Sequence, residues 1–161
     1  MLDQYDVCSP DAPAIVALLA ISDEPFGKTK LLEYLRKLGI RDSHGKVYAA
    51  GPLGESLSNL RRKGCITDVQ GSGFVCVDAL RMPAIRASLD DGSFERLCDA
   101  IESGSNIRVG YDGSVYLRTY RQGLARLRMA LLRGQPLEKI YPWLAACMMV
   151  RDFGKEQIGR A

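Results

Sequence analysis

The sequence predicts a mainly α protein carrying two small β-hairpins, with a helical C-terminal part. Three observations point there. Leucines recur at helical spacing in separate segments, as Leu31/Leu35/Leu38 and Leu53/Leu57/Leu60. A glycine, Gly39 or Gly64, follows each of these stripes where a residue of positive φ would end a helix. Two short β-prone runs fold back around glycine, "CITDVQGSGFVCV" and "NIRVGYDGSVYLR".

The first helix is expected in "SPDAPAIVALLAISDEP", capped by Asp11, with Pro13 in its first turn and its end before Pro25. A second follows in "FGKTKLLEYLRKLGI", stopped at Gly39. "IRDSHGKVYAAG" is a polar, turn-rich connection. The third helix starts near Pro52, buries Leu53, Leu57 and Leu60, and closes at Gly64. A hairpin then turns at Gly71-Ser72-Gly73. Three helices followed by a two-stranded hairpin is the order of a winged helix-turn-helix domain, here residues 10–78.

From Ala79 the texture changes. "RMPAIRASLDDGSFERLCDAIESG" predicts two short helices around Asp91-Gly92, and the second hairpin turns at Asp112-Gly113. "TYRQGLARLRMALLRG" predicts a helix burying a stripe of Tyr120, Leu124, Leu127 and Leu131. "QPLEKIYPWLAACMMVRDFGKEQIGRA" continues helically, and Pro142 is expected to end or kink it. Residues 79–161 form a mainly helical second unit whose end, without cap or polar tail, suggests a longer protein.

With 161 residues, 47% hydrophobic and 25% charged, the chain is globular in composition. The apolar run 12–21 is far too short for a membrane span and follows an acidic start, so neither membrane insertion nor a signal peptide is expected. Five cysteines without a Cys-x-x-Cys pair suit reduced thiols in a cytoplasm. No catalytic constellation emerges. The single histidine, His44, stands in a turn. "FGKTK" resembles the end of a phosphate loop, but Ser22 occupies the required glycine position. "GSGFVC" lacks the third glycine of a dinucleotide fingerprint. Cys65 and Cys76, even if close across the hairpin, leave a zinc ion short of ligands. The expectation is therefore a non-enzyme with neither cofactor nor metal.

Net charge is only +3, but residues 1–24 carry −5, residues 25–64 carry +6 and residues 65–161 carry +2. The basic segment coincides with the third helix, which is where a polyanion would dock. With the leucines inward, its opposite face carries Glu55, Ser58, Asn59 and Arg62, flanked by Arg61 and Lys63. Ser, Asn and Arg suit base edges in a major groove, and Lys63 suits a phosphate. Gln70 and Ser72 at the hairpin tip would lie along the backbone. Glu55, the long connection before the helix and the uncharged hairpin tip count against simple operator reading. The alternative is a protein-interaction or domain-assembly module whose C-terminal helix cations merely complement the dipole.

The second unit adds arginines. Between Asp112 and Glu138 there is no acid, while Arg118, Arg121, Arg126, Arg128 and Arg133 accumulate. Arg118, Arg126 and Arg133 are candidates for tracking phosphates; ion pairs or a solvated face would explain them equally. Trp143 beside Met148 and Met149 suggests core or a covered interface.

As a whole, "KTKLLEYLRKLGIRDSHGKVYAAGPLGESLSNLRRKGCI" is similar to the winged-helix segment near the N-terminus of bacterial helicase-like ATPases of the Swi/Snf type. There a leucine-rich helix, a "GIRD…GK" connection and a second leucine helix precede a glycine-rich hairpin. The likeness covers residues 25–78, and the arginine-rich 119–134 segment extends it. It implies a non-catalytic accessory region of a nucleic-acid-dependent ATPase, with Ser58, Asn59, Arg62 and Lys63 facing the groove. The ATPase motifs themselves are missing from this chain, so only the suggestion of duplex DNA contact, or of assembly within a longer protein, carries over.

Overall fold

The computed structural model describes residues 12–42, 44–111 and 113–154, with side chains as far as residue 150. The expected cap Asp11, Cys8, Asp112 and the chain end beyond residue 154 lie outside the described residues. In chain order the elements are α1 (Ala12–Ser22), α2 (Lys28–Lys37), α3 (Ala50–Arg62), β1 (Ile66–Val69), β2 (Gly73–Cys76), α4 (Asp78–Asp90), α5 (Phe94–Ser103), β3 (Arg108–Val109), β4 (Val115–Tyr116), α6 (Tyr120–Leu132) and α7 (Leu137–Gly154). The protein is mainly helical with two small antiparallel hairpins. Packing divides it into two units, Met1–Gly104 and Ser105–Ala161, rather than at Ala79 where the composition changes.

In the first unit α1 is the axis. Every residue from Ile15 to Ser22 is buried, because α4, α5 and β2 all pack against it. A helix apolar all round can only be satisfied this way. Burial of each such Leu or Ile contributes about 1.5–3 kcal/mol. Its end is unusual: Asp23 adopts a left-handed φ of 51° and accepts from Arg81 of α4 at 2.9 Å. Short polar side chains tolerate that conformation best after glycine.

Helix α2 buries Leu31, Tyr34 and Leu35 and packs against α3, which buries Leu53, Leu57 and Leu60. Both stop as the glycines foretold. Gly39 has φ 69°, and the Ile40 N–H reaches back to Leu35 O at 2.9 Å; Gly64 has φ 70°, with the Cys65 N–H on Leu60 O. The connection between them is pinned rather than loose. Asp42 accepts from the backbone N–H groups of His44 and Lys46, each at 2.9 Å, and Arg41 bridges to Val47. Tyr48 is fully buried, and its carbonyl accepts from Arg36 at 2.9 Å.

Strands β1 and β2 pair with Ile66 opposite Cys76 and Val69 opposite Gly73. The turn holds Gln70, Gly71 and Ser72, so Gly73 belongs to the strand. A further residue joins this ribbon: Phe26, between α1 and α2, exchanges both backbone bonds with Phe74 at 3.0 Å. That approach demands glycine at 73. Its φ is 114°, and a Cβ there would fall on the Phe26 carbonyl group.

The second unit packs α6 against α7, with β4 against α7. Its buried face corrects the expected stripe. Gln122, Gly123, Ala125, Arg126, Met129 and Ala130 are inside, whereas Tyr120 and Leu131 are exposed, Leu131 by 57%. The reason is close approach: a Cβ on Gly123 would collide with Cys147 Sγ and Leu117 Cδ1. Small residues face the neighbouring helix and the leucines flank the contact. Helix α7 also runs through Pro142 instead of ending there. Proline removes a single bond, to the carbonyl of Glu138, whose residue is exposed to water. No described helix is long and apolar enough to cross a membrane.

Candidate nucleic-acid interface

Leu53, Leu57 and Leu60 turn one side of α3 into the core, so Glu55, Ser58, Asn59 and Arg62 stand exposed on the other. These side chains are already partly engaged. Ser58 Oγ donates to the Gly54 carbonyl at 2.8 Å, and Arg62 donates to Asn59 Oδ1 at 3.0 Å. Exposed bonds of this kind exchange with a ligand at little cost. Lys63 is the C-cap residue and is exposed. Arg61 turns aside to pair with Asp68 of β1 at 3.7 Å, tying the helix end to the hairpin. At the hairpin tip Gln70 and Ser72 are exposed, and the Ser72 N–H closes the turn on Val69 O at 2.8 Å.

The fold consumes much of the basic segment. Lys30 lies over the rings of Phe26 and Tyr34, at 5.6 and 5.7 Å from their centroids. Arg36 holds the Tyr48 carbonyl, and Lys37 donates to Ser103 Oγ at the end of α5. In return the fold brings Lys28 to α3: its Nζ lies 3.9 Å from where a Gly54 Cβ would stand. The sequence reading missed Lys28, although the glycine within an otherwise regular helix was a signal of close approach.

The three arginines expected of the second unit separate. Arg118 is exposed. Arg126 is buried to 6% exposure, its guanidinium 5.8 Å from the centre of the Trp143 ring, so it is a core residue and not a phosphate contact. The corrected face of α6 explains this, since Arg126 shares it with Met129 and Ala130. Arg133 is the half-buried C-cap of α6. The hairpin supplies instead Arg108, opposite Tyr116 in the β3–β4 pair and exposed with it.

The remaining chemistry is quiet. Cys65, Cys76, Cys98 and Cys147 form no disulfide and are buried. Burial pushes the Cys76 thiol up to about 12 and raises that of Cys147, so neither is a ready nucleophile. Backbone bonding, from Lys46 above all, lowers the Asp42 carboxyl below its ordinary value. His44 is exposed. Among the described residues no three His, Cys, Asp or Glu side chains gather as a metal site. No family model matches the chain, and neither a curated protein nor a solved structure is detectably similar to it.

Proposed function

We propose that residues 10–78 are a winged helix-turn-helix that binds duplex DNA without catalysis, α3 entering the major groove and β1–β2 serving as the wing. The observation that carries this reading is the α3 surface, where Ser58, Asn59, Arg62 and Lys63 stand outward beside a hairpin fixed to the same unit. The Phe26–Phe74 bridge supports the winged assignment, because it adds a short strand between the first two helices to the hairpin that follows the third. Lys28 adds a cation on the flank of α3 suited to a phosphate. The order of leucine helix, connection, leucine helix and hairpin in residues 25–78 is the ground for an accessory role in a larger nucleic-acid-dependent protein.

Fluorescence anisotropy with a labelled duplex tests it. Affinity should fall steeply between about 50 and 200 mM salt. Arg62→Ala with Lys63→Ala should weaken binding by about tenfold while leaving circular dichroism unchanged, on the scale of 1–3 kcal/mol for a base contact. Absence of binding at low salt would sink the reading.

One observation favours assembly as the second reading. Leu137, Tyr141, Leu144 and Met148 follow a 4-3-4 spacing along α7 and are all exposed, from 43% to 76%. That is the spacing of a helix–helix seam. Light scattering that shows concentration-dependent association, with no duplex binding, would favour it.

A further inference from the structure

The two units differ in sign. Met1–Gly104 holds twelve Lys/Arg against fifteen Asp/Glu, and Ser105–Ala161 holds ten against four. The excess of positive charge therefore belongs to the second unit, where the sequence places arginine and tyrosine side by side. In β4 and the residues after it, Val115 is half-buried and Leu117 packs at Gly123 of α6. The alternation of the strand then turns Tyr116 away from the helices, and Arg118, two residues on, is exposed. Arg108, opposite Tyr116, shares its face. At the tip of the same hairpin Tyr111 is fully exposed, and Tyr120 and Arg121 follow in the first turn of α6, both exposed. Among the described residues no carboxylate bonds Arg108, Arg118 or Arg121.

We infer that this tyrosine and arginine face is a binding surface for single-stranded nucleic acid, separate from α3 and independent of the duplex reading. The chemistry selects the partner. Tyr111 is fully exposed, Tyr116 to 62% and Tyr120 to 39%, so each offers ring surface to solvent, and an unpaired base has two π-faces to stack on it. Duplex bases are already stacked on one another and present only edges. Along the sequence Arg108, Arg118 and Arg121 interleave with the rings and supply cations for the phosphates between stacked bases. An acidic protein would satisfy the arginines but leave three exposed tyrosines without a role. An apolar protein would satisfy the rings and strand three charges in the contact.

The test uses the full chain and a fluorescein-labelled oligothymidylate of about twelve nucleotides, within the usual footprint of such surfaces. Measured by anisotropy in an Arg62→Ala, Lys63→Ala background, binding should persist, since α3 is not involved. Its logarithm should fall with the logarithm of salt with a slope of about −2, as three phosphate contacts on a single strand require. Tyr111→Ala with Tyr116→Ala should weaken it by about tenfold or more, and Tyr111→Phe with Tyr116→Phe should restore it, because stacking needs the ring and not the hydroxyl. Tyr111 touches nothing that folding requires, so its single alanine variant keeps the test valid if Tyr116→Ala unfolds the hairpin. Three results would overturn the inference: no binding at about 50 mM salt, equal binding by the alanine and phenylalanine variants, or self-association of the wild type that the tyrosine variants abolish.

Discussion

The first unit engages many of its cations in holding itself together, whereas the second leaves Arg108, Arg118 and Arg121 and most of its described aromatic rings in water. Lys30 covers two rings, Arg36 and Arg96 grip backbone carbonyls of Tyr48 and Leu38, Lys37 reaches Ser103, and Arg81 secures Asp23. Among the described residues of the second unit Arg126 alone is fully enclosed, while Arg108, Arg118 and Arg121 are exposed, near tyrosines in sequence. The difference teaches that a cation at the surface can still be engaged by a partner within the fold. Part of the +6 of residues 25–64 is engaged within the fold, through Lys30, Arg36, Lys37 and Arg61, while Lys28, Arg62 and Lys63 stay exposed. The unit beyond residue 104 is net positive where the first unit as a whole is net negative.

The sharpest way to break that comparison is Gly73→Ala. The substitution forces a β-carbon onto the Phe26 carbonyl at a φ of 114°, and should cost the first unit about 3 kcal/mol. Urea unfolding followed by circular dichroism reads the loss. Trp143, the single tryptophan, reports the second unit separately by fluorescence, and its transition should stay in place. If both transitions move together, the units unfold as one body and the contrast fails. A smaller effect is expected from Arg126→Ala, which removes the cation from the Trp143 ring and should lower the tryptophan transition by about 1.5 kcal/mol. Oligonucleotide binding should be unaffected. A variant of undiminished stability that loses binding would move Arg126 from core to ligand.

The smallest effect concerns pH. Asp42 is held below the ordinary carboxylate value by backbone bonds, so as pH falls the unfolded chain takes up the proton first. Its contribution is present above the ordinary carboxylate range and is lost as pH drops through that range and below it. Asp42→Asn keeps an acceptor oxygen but no charge. The melting temperature of the wild type should therefore fall more than that of the variant between pH 6 and pH 2, a window set by the ordinary carboxylate value. Parallel curves would show that the turn carries no charge-dependent stability.

Much of the fold could be read from local pattern. Leucines at 53, 57 and 60 declared the face of α3, and Gly39 and Gly64 declared helix ends, because both signals depend on neighbours within one or two turns. What escaped depends on distant partners. Phe26 is a single strand residue between Pro25 and Gly27, and one residue has no period to detect. The buried side of α6 was misplaced because the partner helix comes so near at Gly123 that room, not hydrophobicity, selects the facing residues. Within the candidate interface the outward direction of Ser58, Asn59 and Arg62 was legible from the leucines. The approach of Lys28, the diversion of Arg61 to Asp68 and the enclosure of Arg126 were not, since each joins residues from different elements.

The paired bonds between Phe26 and Phe74 give the hairpin a mechanical character. Phe74 lies one residue beyond Gly73, so the ribbon is clamped beside its tip and not at its Ile66–Cys76 root, and the three turn residues Gln70, Gly71 and Ser72 project just past the clamp. A load on that tip would pass through the Phe26 bonds to the α1–α2 junction, beside the Asp23–Arg81 pair that anchors α4. Little orientational entropy is then left for the ribbon to lose on contact, and the strain is carried into the helical core instead of being dissipated in a floppy loop.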